Sequence, residues 1–232
     1  RYNSGLTVKD VTTLQTNVLN AITTYNNDTL EDFAGMFRYS QLLQTVNEAD
    51  TSILSNITTV KLYKLVTPTL SEALKYTLSF NNALYNPHSG HNATGGGIIS
   101  STGFKISDDD STNEHFLDDT GAGVLRVYYL NGATRVYTDA TYGTVDYDTG
   151  EVVLTSANIT SISNVDGATS TTIRVFAVPN SNDIVPVRNQ VLSIDTSNST
   201  ITGEVDGIIS GGSQAGTTYT TSSSYSSGSS TY

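Results

Sequence analysis

Two rhythms of apolar and polar residues divide this chain. Val11, Leu14, Val18, Ile22 and Tyr25 recur at spacings of three and four behind Asp10, a residue type that caps helix N-termini. The spacing predicts a first helix from Asp10 to Tyr25. A second is expected from Asp28, where Asp28 and Glu31 match a capping box and Leu30, Phe33, Phe37, Leu42, Leu43 and Val46 supply apolar positions. The stripe drifts at Tyr39-Ser40, which predicts a break there and a further short helix over Ser40 to Val46. A short helical turn is expected near Thr51 to Ser55. From Thr58 to Val66 the alternation changes to period two, the signature of a strand, and Pro68 ends it.

Beyond Pro68 the period stays near two. Strands are expected over Leu74 to Phe80, Ile98 to Ile106 after the loop Asn86 to Gly97, Thr171 to Val178, and near Val187 to Ile194, with Pro179 and Pro186 in the linkers. The most legible stretch is Tyr142-Gly-Thr-Val-Asp-Tyr-Asp-Thr-Gly-Glu-Val-Val-Leu154. It alternates up to Asp148-Thr149-Gly150, turns where glycine accepts a positive φ, and runs back from Glu151. Upstream, Val124 to Leu130 turns at Asn131-Gly132 and returns through Ala133 to Tyr137, so two adjoining hairpins form a meander. Asp108-Asp109-Asp110 and Asp118-Asp119 read as acidic loop. From about Gly211 the chain is Ser, Thr, Gly and Tyr with almost no aliphatic residues, too little apolar surface to offset the entropy of ordering it.

The predicted class is α+β: a small helix-on-sheet domain over residues 1–68, a mainly antiparallel β domain over 69–209, and a low-complexity tail over 210–232. The opening at Arg1 reads as mid-domain sequence, with earlier strands of the small sheet expected before it and the chain expected to be a piece of a longer polypeptide. Eleven basic against 22 acidic residues give a net charge of −11, which repels nucleic acid and anionic lipid, so neither nucleic acid nor membrane is an expected partner. No run approaches the roughly 18 consecutive apolar residues of a membrane-spanning helix. Without cysteine the chain has neither disulfides nor thiolate chemistry.

Candidate chemistry is sparse. His88-Ser-Gly-His91 puts two imidazoles three apart, and His115 with Asp108 to Asp110 could complete a set of zinc-type ligands, but no helix fixes the geometry of known His motifs. The run Asp108 to Glu114 is dense in oxygen ligands yet lacks the glycine and glutamate spacing of an EF-hand. Gly95 to Gly97 and Gly121-Ala-Gly123 do not open helices, as phosphate cradles do. Asp118 and Asp119, adjacent on an extended chain, point opposite ways and do not make an acid pair. No catalytic residue, metal ligand, cofactor or small-molecule substrate is assigned. Fourteen tyrosines without a tryptophan stand out, with Tyr128, Tyr129, Tyr137, Tyr142 and Tyr147 concentrated in the hairpins. Tyrosine suits interfaces that are apolar at one end and wet at the other, so these five are the candidate interface residues, ordinary cross-strand packing being the competing role.

Thr58 to Val66, Leu74 to Phe80, Ile98-Ile-Ser-Ser-Thr-Gly-Phe104, Asp118-Asp-Thr-Gly-Ala-Gly123 and above all Gly143-Thr-Val-Asp-Tyr-Asp-Thr-Gly150 resemble the C-terminal part of baseplate wedge subunits of T-even-type contractile-tailed phages, in the baseplate J-like family. The resemblance runs from about Leu6 to Ile209 and does not extend to the tail. It implies a virion structural protein of the tail baseplate, assembled in the host cytoplasm, that pairs with a second copy of itself and joins other baseplate wedge proteins in a ring around the tail hub. Rearrangement of that ring would be coupled to sheath contraction and genome ejection. By the same resemblance residues 1–68 would be a wing and 69–209 the dimerisation region, with no catalytic residues to carry over. The alternatives are a surface adhesin or carbohydrate-binding β-module, suggested by the acidic Thr- and Asn-rich composition, and a tail-associated hydrolase whose active site lies elsewhere in a parent chain.

Overall fold

The computed structural model describes residues 1–32, 35–91, 97–109, 112–165, 167–187 and 190–207. The fold is α+β, mostly β, in two compact units: Arg1–Thr58 with the described residues after Val187, and Thr59–Val187.

The first unit is built on helix α1, Val11–Tyr25. Asp10 is its N-cap, extended at φ −74° and ψ 167°, with a carboxylate that accepts from Thr13 N at 2.8 Å. The three-four stripe buries Leu14, Val18, Ile22 and Tyr25. Burying each such side chain is worth about 1.5–3 kcal/mol, which is how a helix of this length holds in water. The expected new helix at Asp28 does not begin there. α1 widens into a π-helical turn, Asn26–Leu30, and Glu31, instead of closing a capping box, accepts from Asn26 Nδ2 at 2.8 Å. Phe33 lies outside the described residues. Helix α2, Tyr39–Glu48, starts where the stripe was seen to drift, buries Leu42 and Val46, and is approached by Phe37, which meets Tyr25 edge to face at 6.4 Å.

Near residues 51–55 a turn at Thr51-Ser52 leads not to a helical segment but to Ile53, bridged antiparallel to Tyr2, whose other side bridges Val205. The strand expected near Val187 to Ile194 is absent among the described residues. The Ile194 amide donates instead to Asn26 Oδ1 at 2.6 Å and Ser193 Oγ to Glu31 Oε1 at 3.0 Å, so side chains of the π turn take the bonds a ladder would have used.

Among the described residues the second unit holds nine strands in two sheets. β1, Leu62–Val66, pairs with β9, Ile173–Ala177, and β9 with β3, Ile99–Ser101. β1 is therefore laddered into the β-rich unit, although the sequence reading placed it beside the helices. The expected single strand Ile98 to Ile106 breaks at Thr102-Gly103: β3 joins the small sheet, and β4, Phe104–Ile106, joins the larger one. That sheet runs β2–β8–β4–β5–β6–β7, with β2 Ala73–Ser79, β5 His115–Asp119, β6 Val124–Asn131, β7 Thr134–Asp146 and β8 Glu151–Ile162. β8 also pairs with β7, which closes β4 to β8 into a barrel-like circuit. The core inside it includes Phe104, Leu117, Leu125, Val127, Leu154 and Ile159, all essentially without solvent exposure.

The expected meander is present, and the two hairpins share β7. Asp146 pairs with Glu151 across the second turn, and the Asp146 carboxylate accepts from the amides of Asp148 and Thr149. Gly150 closes the turn at φ +72°, where a side chain is both strained and obstructed: a Cβ would lie 2.2 Å from Asn82 O.

Candidate functional site

β5 is a strand, not the acidic loop read from Asp118-Asp119, and its alternation sends the two carboxylates to opposite faces. Leu117 and Asp119 oppose Val127 and Leu125 on the core side, while Phe116 and Asp118 oppose Tyr128 and Arg126 on the other. Both aspartates are buried, at 1% and 0% exposure, so each needs a full set of partners.

Asp118 has them. Its Oδ1 accepts from Arg126 Nε at 2.8 Å, and its Oδ2 from Arg135 Nη1 and Tyr137 Oη, each at 2.8 Å. Arg126 also donates to Asp119 O at 3.0 Å. The two guanidiniums interleave with two tyrosines: Arg126 Cζ lies 4.3 Å from the Tyr137 ring centre and Arg135 Cζ 4.6 Å from that of Tyr128. Tyr128 leans on Tyr137 and on Phe116, with centroids 5.9 and 5.8 Å apart. Burial, joined at both rings by the charge of Asp118, pushes the hydroxyl pKa values of Tyr128 and Tyr137 upward, so both stay protonated at neutral pH. A carboxylate that already accepts three charge-strengthening bonds, beneath rings and cations packed on one another, is arranged to hold a surface rigid rather than to move protons.

Asp119 works on the core side. Its Oδ1 accepts from Ile99 N at 2.9 Å, and its Oδ2 from Gly121 N at 3.1 Å and Tyr147 Oη at 2.7 Å. One side chain thus ties β3 of the small sheet to β5 and to the segment after β7. The approach is so close that a Cβ on Gly97 would sit 1.6 Å from Asp119 Oδ1, so only glycine fits there.

The five candidate tyrosines occupy different places. Tyr142 is in the core with a hydroxyl that finds no partner, its pKa pushed far up by burial. Tyr147 is half-buried on Asp119, and burial followed by that carboxylate raises its pKa as well. Tyr128 is buried at 8% exposure, Tyr129 is half-buried and edge-on to His115, and Tyr137 is 36% exposed. The structure gathers Tyr128 and Tyr137 on one face. It turns Tyr129, Tyr142 and Tyr147 away from that face.

The histidines do not converge. His88 Nε2 and His91 Nδ1 are 3.3 Å apart in an exposed loop, with the His91 ring against Tyr85. His115 is buried in the sheet, its Nε2 at 3.1 Å from both Asp109 Oδ2 and Thr138 Oγ1. Burial lowers its pKa against the opposing pull of Asp109. Among the described residues no group of three or more His, Asp or Glu is placed to hold a metal ion. Asp110 of the acidic run and Gly95-Gly96 lie outside those residues.

Sequence reasoning passed over Arg126 and Arg135 as functional residues, although a signal was present. They are the only lysine or arginine residues between Lys105 and Arg174, and an acidic pair lies just upstream. Buried charge demands opposite charge, so that arrangement points to an internal cluster.

The β-rich unit thus carries a sheet face of interleaved arginine and tyrosine held on Asp118. Residues 1–65 match the family model for the C-terminal domain III of baseplate structural protein gp6, which supports a phage baseplate structural protein located in the virion tail. That family is a structural one, which points to a non-enzymatic role and to association with other baseplate proteins. No curated protein matches the chain.

Proposed function

We propose that the chain is a component of the phage baseplate wedge. It pairs with a second copy of itself and joins other wedge proteins in a ring around the tail hub, so that rearrangement of the ring is coupled to sheath contraction and genome ejection. Assembly takes place in the host cytoplasm before the virion is complete. The observation that carries this reading is the match of residues 1–65, the stretch that builds most of the helical unit, to a baseplate domain. In this reading the helical unit is the wing, and the β-rich unit supplies the assembly surface through Tyr137 and the side chains interleaved with it.

The physical case is that a ring needs surfaces held in a fixed shape before partners arrive, since ordering a long side chain on docking costs about 0.5–1.5 kcal/mol. Arg126 and Arg135, fixed between Asp118 and two rings, have already lost that freedom. The same stacking counts against a carbohydrate module, because a face of each of Tyr128 and Tyr137 that could stack on a sugar is occupied by a guanidinium. Light scattering on the purified chain, with antibody or tag labelling of intact particles, tests the proposal. Self-association together with label at the tail tip is the expected result. A chain that is monomeric at high concentration and label on the head or sheath would overturn it.

A further inference from the structure

The Asp118 cluster is unbalanced in charge. Two guanidiniums converge on one carboxylate, which leaves the face with one net positive charge on a chain whose acidic residues outnumber its basic ones two to one. Arg126 is buried, but the Arg135 side chain is 35% exposed, between Tyr137 at 36% and Leu130 at 51%. A guanidinium has five N–H donors in a rigid fork, and with Asp118 and Tyr137 engaging it and its side chain 35% exposed, Arg135 keeps donors for a further carboxylate.

The same unit displays carboxylates of the matching kind. Asp146, Asp148 and Glu151 are all exposed around the β7–β8 turn, and no lysine or arginine occurs between Arg135 and Arg174 to offset them. Hydrogen bonds from Thr149 hold the pKa of Asp146 below the usual carboxylate range, so Asp146 is charged at neutral pH. One copy cannot bring the two features together. Arg135 and Asp146 stand near opposite ends of β7, and eleven residues of strand at about 3.3 Å each separate them by roughly 35 Å.

We propose that the face formed by Leu130, Arg135 and Tyr137 receives the acidic β7–β8 turn of a second copy of this chain. This rests on the reading that the chain self-associates and names the surfaces that do it. Face and turn are different patches, so the contact is heterologous: each docked copy still offers an unused face or an unused turn, the connectivity from which rings and open filaments are built. Copies repel one another on average, with eleven excess negative charges each, whereas this face and this turn are opposite in charge.

The test is sedimentation and light scattering on the full chain at low and moderate salt, with the double variant Asp148→Lys, Glu151→Lys and the single variant Arg135→Glu. Each variant alone is expected to weaken self-association at least about tenfold, and an equimolar mixture of the two to recover assembly with alternating copies, since the unaltered pair of surfaces and the charge-exchanged pair are both complementary. Arg135→Glu sits against Asp118 and can fail to fold, whereas the turn residues are exposed. The double variant added to wild-type chain is therefore the decisive arm, and it is expected to cap growth at its own altered turn. If the double variant self-associates as wild type does, with the same salt dependence, this contact is wrong while self-association stands. If the wild-type chain stays monomeric at every concentration, the contact and the reading it rests on fall together.

Discussion

Removing the Asp119 carboxylate should open the join between the two sheets of the β-rich unit. Asp119→Ala deletes three accepted bonds at once, from Ile99 N, Gly121 N and Tyr147 Oη, at a side chain with no solvent exposure. Water can reach the half-buried Tyr147 hydroxyl, but the Ile99 amide is left buried and unpaired, at about 1–3 kcal/mol for such a group. With the lost charge-assisted bond to Gly121 and the small cavity added, the cost comes to about 3–5 kcal/mol, a large part of the 5–15 kcal/mol that holds a domain together. Asp119→Asn keeps the shape, but it turns one acceptor into a donor facing the amide of Ile99 or of Gly121. Its expected cost is smaller, about 1–3 kcal/mol. Urea unfolding followed by tyrosine near-ultraviolet circular dichroism measures both, since the chain has fourteen tyrosines and no tryptophan. Hydrogen exchange at residues 97–101 assigns the loss to β3. An alanine variant within about 0.5 kcal/mol of wild type, or unchanged protection at Ile99, would refute the claim that this carboxylate joins the sheets.

Three further outcomes are expected. Asp10→Ala removes the cap on Thr13 N and should cost about 1 kcal/mol in the urea midpoint of the helical unit, with Asp10→Ser restoring most of it. Gly150→Ala forces a side chain into φ +72° against Asn82 O and should destabilise the β7–β8 turn by at least about 1–2 kcal/mol, read as faster exchange over residues 146–151. Lys9 first, with the amide and hydroxyl of Ser52, brings the Asp50 pKa down to about 2 from an unfolded value near 3.8. A pKa depressed in the folded state contributes stability that is complete above the unfolded value and disappears as pH falls through the folded one. The helical unit should therefore lose stability between about pH 4 and pH 2, and Asp50→Asn should flatten that part of a thermal-melt series.

Where local chemistry decides structure, the sequence was readable. Asp10 and the Leu14–Val18–Ile22 stripe specify α1, and Asp146 with Gly150 specifies the turn before β8. The errors have one cause, competition from distant partners. Asp28 and Glu31 look like a capping box, but Asn26 captures Glu31 and the π turn carries the helix past Asp28. Ile98 to Ile106 reads as one strand, yet β3 and β4 answer to different sheets, with the division at Thr102-Gly103. Asp118 read as solvated because its two cations lie eight and seventeen residues downstream, and Asp119 because Ile99 and Tyr147, which hold its carboxylate, lie twenty and twenty-eight residues away. Of the five tyrosines singled out, burial divides them in a way that period-two alternation does not predict, since the β6–β7 register shifts between Leu125 and Val127 and again between Val127 and Tyr128.

The first unit is assembled from chain on both sides of the second: Asn26 and Glu31 hold Ile194 and Ser193, and Tyr2 lies between Ile53 and Val205. The β-rich unit is thus an insertion in the chain of the first unit. Were it to melt, the helical unit would have to close over a slack loop of roughly 130 residues, an entropic burden of about 4 kcal/mol.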